Sequence, residues 1–206
     1  MASTTHAQAQ LHELLHQALE TELGGIAVYE EAIRSARNDT LRGEWQRYLE
    51  QTHRHRTILL GLMDEIGIDP SVPSASRRAI AHLGRSLAQT IRMAREQDDA
   101  DVAERIAAEC VVLAETKDHL NWTLIGRFAR ACEGLQAQLL LAAYDAVEME
   151  EDHHLYHTMG WARELWLDAL GLPAVLPPPE EVRQVESAIG AARAEQNRES
   201  LIKNRH

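Results

Sequence analysis

Glu151 and His154 stand three residues apart in a segment that reads V-E-M-E-E-D-H-H-L from Val147 to Leu155. Wound at about 3.6 residues per turn, Leu140, Tyr144, Val147, Leu155 and Leu165 share one side of a helix, and Glu151 and His154 fall in the middle of that side. Glu150, Asp152, His153 and His157 fall towards the other side, where His157 reads as a supporting or surface group. A carboxylate and an imidazole on a core-facing surface are costly unless an ion pair or a bound metal ion compensates them.

Three other segments repeat the problem. Near the N-terminus, Leu11, Leu15, Ala18, Glu22, Ile26, Tyr29 and Ile33 form one helical stripe with an acid at its centre and a tyrosine seven residues on. The next segment places Leu41, Trp45, Tyr48, Thr52, His55, Leu59, Leu62 and Ile66 on one side, so His55 points inward. Its literal Glu-x-x-His, Glu50 with His53, points away from that stripe. The third, E-C-V-V-L-A-E-T-K-D-H-L-N-W from Glu109, is apolar on several sides. One stripe there is Val111, Glu115, Asp118 or His119, Trp122 and Ile125, and another is Ile106, Glu109, Leu113, Leu120 and Leu124. The first repeats the acid-then-aromatic spacing of Glu22 and Tyr29, so Glu115 is the favoured acid and Glu109 the substitute, with Asp118 and His119 as added ligands or supporting partners.

Each of these groups alone reads as a core ion pair or a hydrogen-bonded histidine. Together they require more. Several carboxylates buried side by side raise one another's pKa, and bound cations remove that conflict. Carboxylates with a few imidazoles suit iron or manganese better than structural zinc, which favours thiolates.

The elements that must position these groups are long helices. Ala, Leu, Glu, Arg and Gln dominate the 206 residues, and these are helix formers. No window alternates apolar and polar residues with β-branched enrichment, so the class is all-α. The punctuation predicts a first helix from about His6 to Arg37 and a second from a cap at Asp39 or Thr40 to Gly67. A crossover helix follows from Ser74 or Ser76 to about Glu96. A third bundle helix runs from about Ala100 to Cys132 and a fourth from about Leu135 to Leu170. The crossover lets the second and third bundle helices run parallel, a bundle topology that carries metal sites. The bundle domain spans 1–172. A Pro-rich linker and a last helix, Glu180 to about Leu201, make up 173–206.

The net charge of −11 opposes nucleic-acid binding, and the local basic residues Arg77, Arg78 and Arg85 read as a solvated helix face. The N-terminal M-A-S-T-T-H-A-Q has neither a charged nor an apolar leader region, so no signal peptide is expected. No apolar run is long enough for a membrane span. Cys110 and Cys132 read as buried reduced thiols, which suits a cytoplasmic protein.

The pattern resembles the ferritin-like superfamily of carboxylate-bridged dimetal four-helix-bundle proteins, over roughly residues 8–170. That template takes one Glu from each of two helices and Glu-x-x-His from each of the other two. Glu22 with Tyr29 is similar to the first-helix motif, His55 to the second-helix histidine, Glu115 to the third-helix Glu, and Glu151-Asp152-His153-His154 to the fourth-helix motif. The stretches L-A-E-T-K-D-H and E-E-D-H-H-L-Y-H-T-M-G-W-A-R-E-L-W also resemble a bacterial branch of that superfamily. Thr52 departs from the pattern, because the family carries Glu there. Either Glu50 reaches in through a helix distortion, Asp118 or Glu109 substitutes, or the site holds one metal rather than two.

The resemblance implies iron, with manganese as the other candidate, held by Glu22, His55, Glu115, Glu151 and His154. It implies redox chemistry with O2 or peroxide on an unknown small substrate, with Tyr29 and Trp122 as redox neighbours. The alternative is a non-enzymatic helical protein with a degenerate site. A homodimer is expected, because a lone bundle cannot bury every apolar face of the third bundle helix.

Overall fold

Long runs of strong helix formers, cut by capping residues at fixed points, organise the chain. The computed structural model describes residues 2–175. Its helices are α1 (Ala2–Ser35), α2 (Asp39–Glu65), α3 (Ala75–Arg95), α4 (Ala100–Ala131), α5 (Leu135–Asp145) and α6 (Glu148–Ala169). No strand is present among the described residues. No helix there is long and apolar enough to cross a membrane. The expected last helix from Glu180 lies outside the described residues.

Side-chain caps start the helices at defined residues. Asn38, rather than Asp39 or Thr40, caps α2 by accepting from the N–H groups of Thr40 and Leu41. Ser74 caps α3 through the N–H of Arg77, and Asp99 caps α4 through that of Val102. Such oxygens satisfy donors that the first helical turn leaves without partners. Buried Glu104 accepts from the N–H groups of Arg37 and Asn38 at 2.8 and 2.7 Å, which ties the α1–α2 turn to α4. At the other turn, Gly134 adopts φ 91° between α4 and α5, a conformation that disfavours side chains with a Cβ.

The expected fourth helix is two helices. The backbone ladder breaks at Ala146 and Val147, where Val147 N–H donates to Tyr144 O at 3.0 Å instead of continuing the α ladder. Glu148, Glu150 and Glu151 occupy the first turn of the new helix, α6. The partial positive charge of a helix N-terminus favours carboxylates there. The acids that read as mid-helix in the sequence therefore begin a helix.

α1 runs antiparallel to α2 and α4, and α5 and α6 return antiparallel to α4. The apolar interior divides in two. One cluster joins Leu11 and Leu15 of α1 to Leu59 and Leu62 of α2, Trp122 and Ile125 of α4 and Leu140 of α5. The other joins Val28 and Ala32 of α1 to Leu41 and Trp45 of α2, Ile91 of α3 and Ala107 and Val111 of α4. On every bundle helix the chemistry-bearing residues lie in sequence between the two clusters. They form a polar layer with an apolar block on either side.

α3 is the crossover. It runs parallel to α1, with Ser74 bonded to Glu13, Arg77 paired with Glu20 at 2.6 Å and Arg95 paired with Glu31 at 2.9 Å. Midway, Gly84 packs directly on Gly24: a Cβ built at Gly84 would lie 2.6 Å from the Gly24 Cα. Backbone cannot yield as a flexible side chain can. Gly84→Ala is therefore expected to cost about 1–3 kcal/mol by overpacking. For a chain of this size that lowers Tm by roughly 2–4 °C per kcal/mol. A thermal melt that leaves Tm unchanged would contradict the packing described.

Candidate metal centre

Six ligand-type side chains meet in the polar layer. α1 brings Glu22, α2 His55, α4 Glu115 and Asp118, and α6 Glu151 and His154. All are buried, with exposures from 0% for Glu22 to 3% for Asp118. Two groups of three hold their ligand atoms within 4.8 Å of one another: His55, Glu151 and His154, and Glu22, Asp118 and Glu151. Glu151 belongs to both. Glu115 lies at the edge of the first group, its Oε2 3.5 Å from His154 Nδ1.

The two imidazoles are oriented alike. His55 Nε2 is 2.7 Å from Glu150 Oε2, and Nδ1 is 2.8 Å from Glu151 Oε1. His154 Nε2 is 2.9 Å from Gln51 Oε1, and Nδ1 lies 3.5 Å from Glu115 and 3.9 Å from Glu151. Burial alone would raise the Glu150 carboxyl, but hydrogen bonds from His55 and Arg54 outweigh it and its pKa is lowered. An ionised carboxylate only accepts, so His55 Nε2 carries the hydrogen. The Gln51 carbonyl sets the same tautomer in His154. Both Nδ1 lone pairs then face carboxylate oxygens across the layer, and neither makes a hydrogen bond. Lone pair against carboxylate is repulsive unless a proton or a cation lies between. An imidazole that donates outward and presents its other nitrogen inward is the arrangement of a metal-binding histidine. Burial, ahead of all other causes, lowers the His55 pKa to about 4, which keeps it neutral as a ligand must be.

The carboxylates show the same conflict. Glu22 accepts from Trp122 Nε1 at 2.9 Å through Oε1, and its Oε2 is buried without a partner. Asp118 Oδ1 and Glu151 Oε2 are likewise buried and unpartnered. Burial raises the pKa of Glu22 well above the ordinary carboxyl value, and the charges of Asp118 and Glu115 add to it. Burial and then Glu151 and Glu115 raise Asp118, and burial and then Glu115 and Glu22 raise Glu151. The donor set and its orphaned atoms could hold a metal ion: oxygen donors, neutral imidazoles and no thiolate.

The structure brings Glu22, His55, Glu115, Glu151 and His154 together, and it adds Asp118. Glu50 and His53 are exposed on the far side of α2. Glu109 is turned outward and accepts from Trp166 Nε1 at 2.7 Å. His119 leaves the layer to meet Asp152 at 3.2 Å. Thr52 is buried with its hydroxyl donating to Tyr48 O at 2.8 Å, so it offers the layer no donor. Asp118 thus supplies the carboxylate that α2 lacks. Trp122 anchors Glu22, and the Tyr29 ring lies 6.2 Å from that of His154. Burial and then the charge of Glu115 raise the Tyr29 pKa well above its ordinary value.

Two contributors were not legible as such. Glu150 was assigned to the outer side, but the restart of the helix at Glu148 lets it reach His55. Gln51 carries no pattern that marks it, and only its neighbour Thr52 faces the core. A further outer shell joins Tyr48 to His157 Nδ1 at 2.8 Å, His157 to Glu44 at 3.0 Å and Trp161 to Glu44 at 2.7 Å.

Comparison of the chain with known protein families, with curated proteins and with solved structures finds no match.

Two predictions follow from the tautomers and the charges. Glu150→Ala, which removes the acceptor that orients His55, is expected to weaken metal affinity about 10–100-fold; isothermal titration with Mn2+ at unchanged helicity checks this. The second concerns pH. A raised carboxyl pKa favours the protonated fold, so stability from Glu22, Asp118 and Glu151 is present at low pH and is lost as pH rises through their raised values. His55 acts oppositely, but only as pH falls from its ordinary 6.5 towards about 4. Above pH 6.5 the opposing contribution of His55 is gone. The chelator-treated protein is therefore expected to lose Tm as pH rises above 6.5, and saturating Mn2+ to abolish that loss by replacing the protons. A metal-free Tm that rises with pH there would contradict the charge arrangement.

Proposed function

We propose that the chain is a ferritin-like protein that binds two metal ions and performs redox chemistry with O2 or peroxide. The observation that carries this reading is the sharing of Glu151 by two buried groups of ligand-type side chains drawn from four helices. The crossover helix and the two antiparallel pairs agree with the topology of carboxylate-bridged dimetal bundles. Iron, with manganese as the other candidate, fits the donors. When bound, such ions supply one-electron steps and activate oxygen species.

The protein's own part is binding and control. His55, His154, Glu151 and Glu115 would hold one ion; Glu22, Asp118 and Glu151 would hold the other. Glu150 and Gln51 keep the imidazole hydrogens outward and the lone pairs inward. The apolar blocks above and below exclude bulk water, which strengthens every charge interaction within the layer. Tyr29 and Tyr48 pack near His154 and Trp122 bonds to Glu22, which places three oxidisable side chains beside the layer. A degenerate, non-enzymatic site is the alternative, resting on Thr52; Asp118 restores the missing carboxylate and favours the working site.

Leu113, Leu120 and Leu124 form an exposed apolar stripe on α4, with exposures of 58%, 49% and 41%. This supports a homodimer through α4, which light scattering tests.

Elemental analysis of protein purified without chelators tests the metal reading. About two ions per chain are expected in the wild type. Glu151→Ala is expected to lose both and Asp118→Ala one. No metal in the wild type, even after anaerobic Fe2+ reconstitution, would overturn it.

A further inference from the structure

The two groups that share Glu151 are chemically unequal. One offers two imidazole nitrogens, from His55 and His154, with the carboxylate of Glu151 and that of Glu115 at its edge; the other offers oxygen alone, from Glu22, Asp118 and Glu151. The inequality has a structural origin. α2 contributes an imidazole but no carboxylate, because Thr52 faces the layer and Glu50 is exposed on the other side of the helix. α4 contributes Asp118 one turn beyond Glu115, on the side of Glu22. Trp122 holds Glu22 at 2.9 Å, and Glu150 and Gln51 hold the two imidazoles, so the donors cannot redistribute without breaking these bonds.

We propose that the chain holds two different metal ions side by side: an imidazole-favouring ion of the Fe2+ or Zn2+ class between His55, His154 and Glu151, and an oxygen-favouring ion of the Mn2+ class among Glu22, Asp118 and Glu151. Imidazole suits iron and zinc, whereas carboxylate suits manganese, so the preference for the later ion is greater at the first position than at the second. The inference rests on the two-metal reading above and adds which ion each position selects.

The test is displacement of Mn2+ by Zn2+ from the full-length chain. Protein loaded with Mn2+ is titrated with Zn2+, with released Mn2+ read by electron paramagnetic resonance and retained metal by elemental analysis. Two phases are expected, the first ion leaving at a Zn2+ concentration about tenfold or more below that which removes the second. The Mn2+ left after the first phase is expected to show no nitrogen hyperfine coupling. Asp118→Asn is expected to keep only the easily displaced ion. His154→Ala is expected to merge the phases, with circular dichroism showing both variants folded. Release of both ions in one phase from the wild type, or nitrogen coupling on the retained Mn2+, would overturn the proposal while leaving a two-metal site intact. Failure of the chain to bind either ion would instead overturn the two-metal reading and this proposal with it.

Discussion

Four carboxylates buried in one layer are the constraint on which the rest of the structure depends. Glu22, Glu115, Asp118 and Glu151 together would carry four negative charges in the middle of the bundle. Among the described residues the half-buried Lys117 beside Asp118 offsets part of that charge, and it also bonds to Asn121, which in turn bonds to Thr21. Burying ionised groups without compensation is far more costly than a domain's net stability of about 5–15 kcal/mol. Protons or cations must supply the balance, and two divalent ions would neutralise four carboxylates. Trp122, Glu150 and Gln51 spend their hydrogen bonds on holding donors in place, which leaves the inward atoms without protein partners.

The remainder of the fold serves that layer. Apolar clusters close it off along the bundle axis in both directions. α3 seals the groove between α1 and α4, and it can do so because Gly24 and Gly84 let the two backbones meet. Buried Glu31 accepts from Arg34 and Arg92 and forms an ion pair with Arg95, which fixes the far end of α3 against α1. The break at Ala146 and Val147 serves the site as well. It puts Glu148, Glu150 and Glu151 in a helix first turn, where the unpaired N–H groups and the helix dipole favour acids.

Much of this was legible from helical phase. The stripe through Glu115 and Trp122 is the buried one, and Leu113, Leu120 and Leu124 of the rival stripe are exposed, because a 3.6-residue period assigns faces wherever the helix is regular. Phase failed where regularity failed. A restart of the helix at Glu148 shifts register, so Glu150 meets His55 although periodicity placed it outside. The choice of Asp118 over Glu109 depended on distances between helices, which no single helix encodes. Cys132 read as buried but is exposed, since it stands at the C-cap of α4 and not within it.

The most direct test of the central claim is a crystal structure of the reconstituted protein with anomalous scattering recorded at the manganese and iron edges. The account predicts two anomalous peaks on either side of the Glu151 carboxylate, with His55 and His154 Nδ1 turned to one and Glu22 and Asp118 to the other. A metal-replete crystal with no peak in the layer, its carboxylates paired with one another through protons, would contradict it.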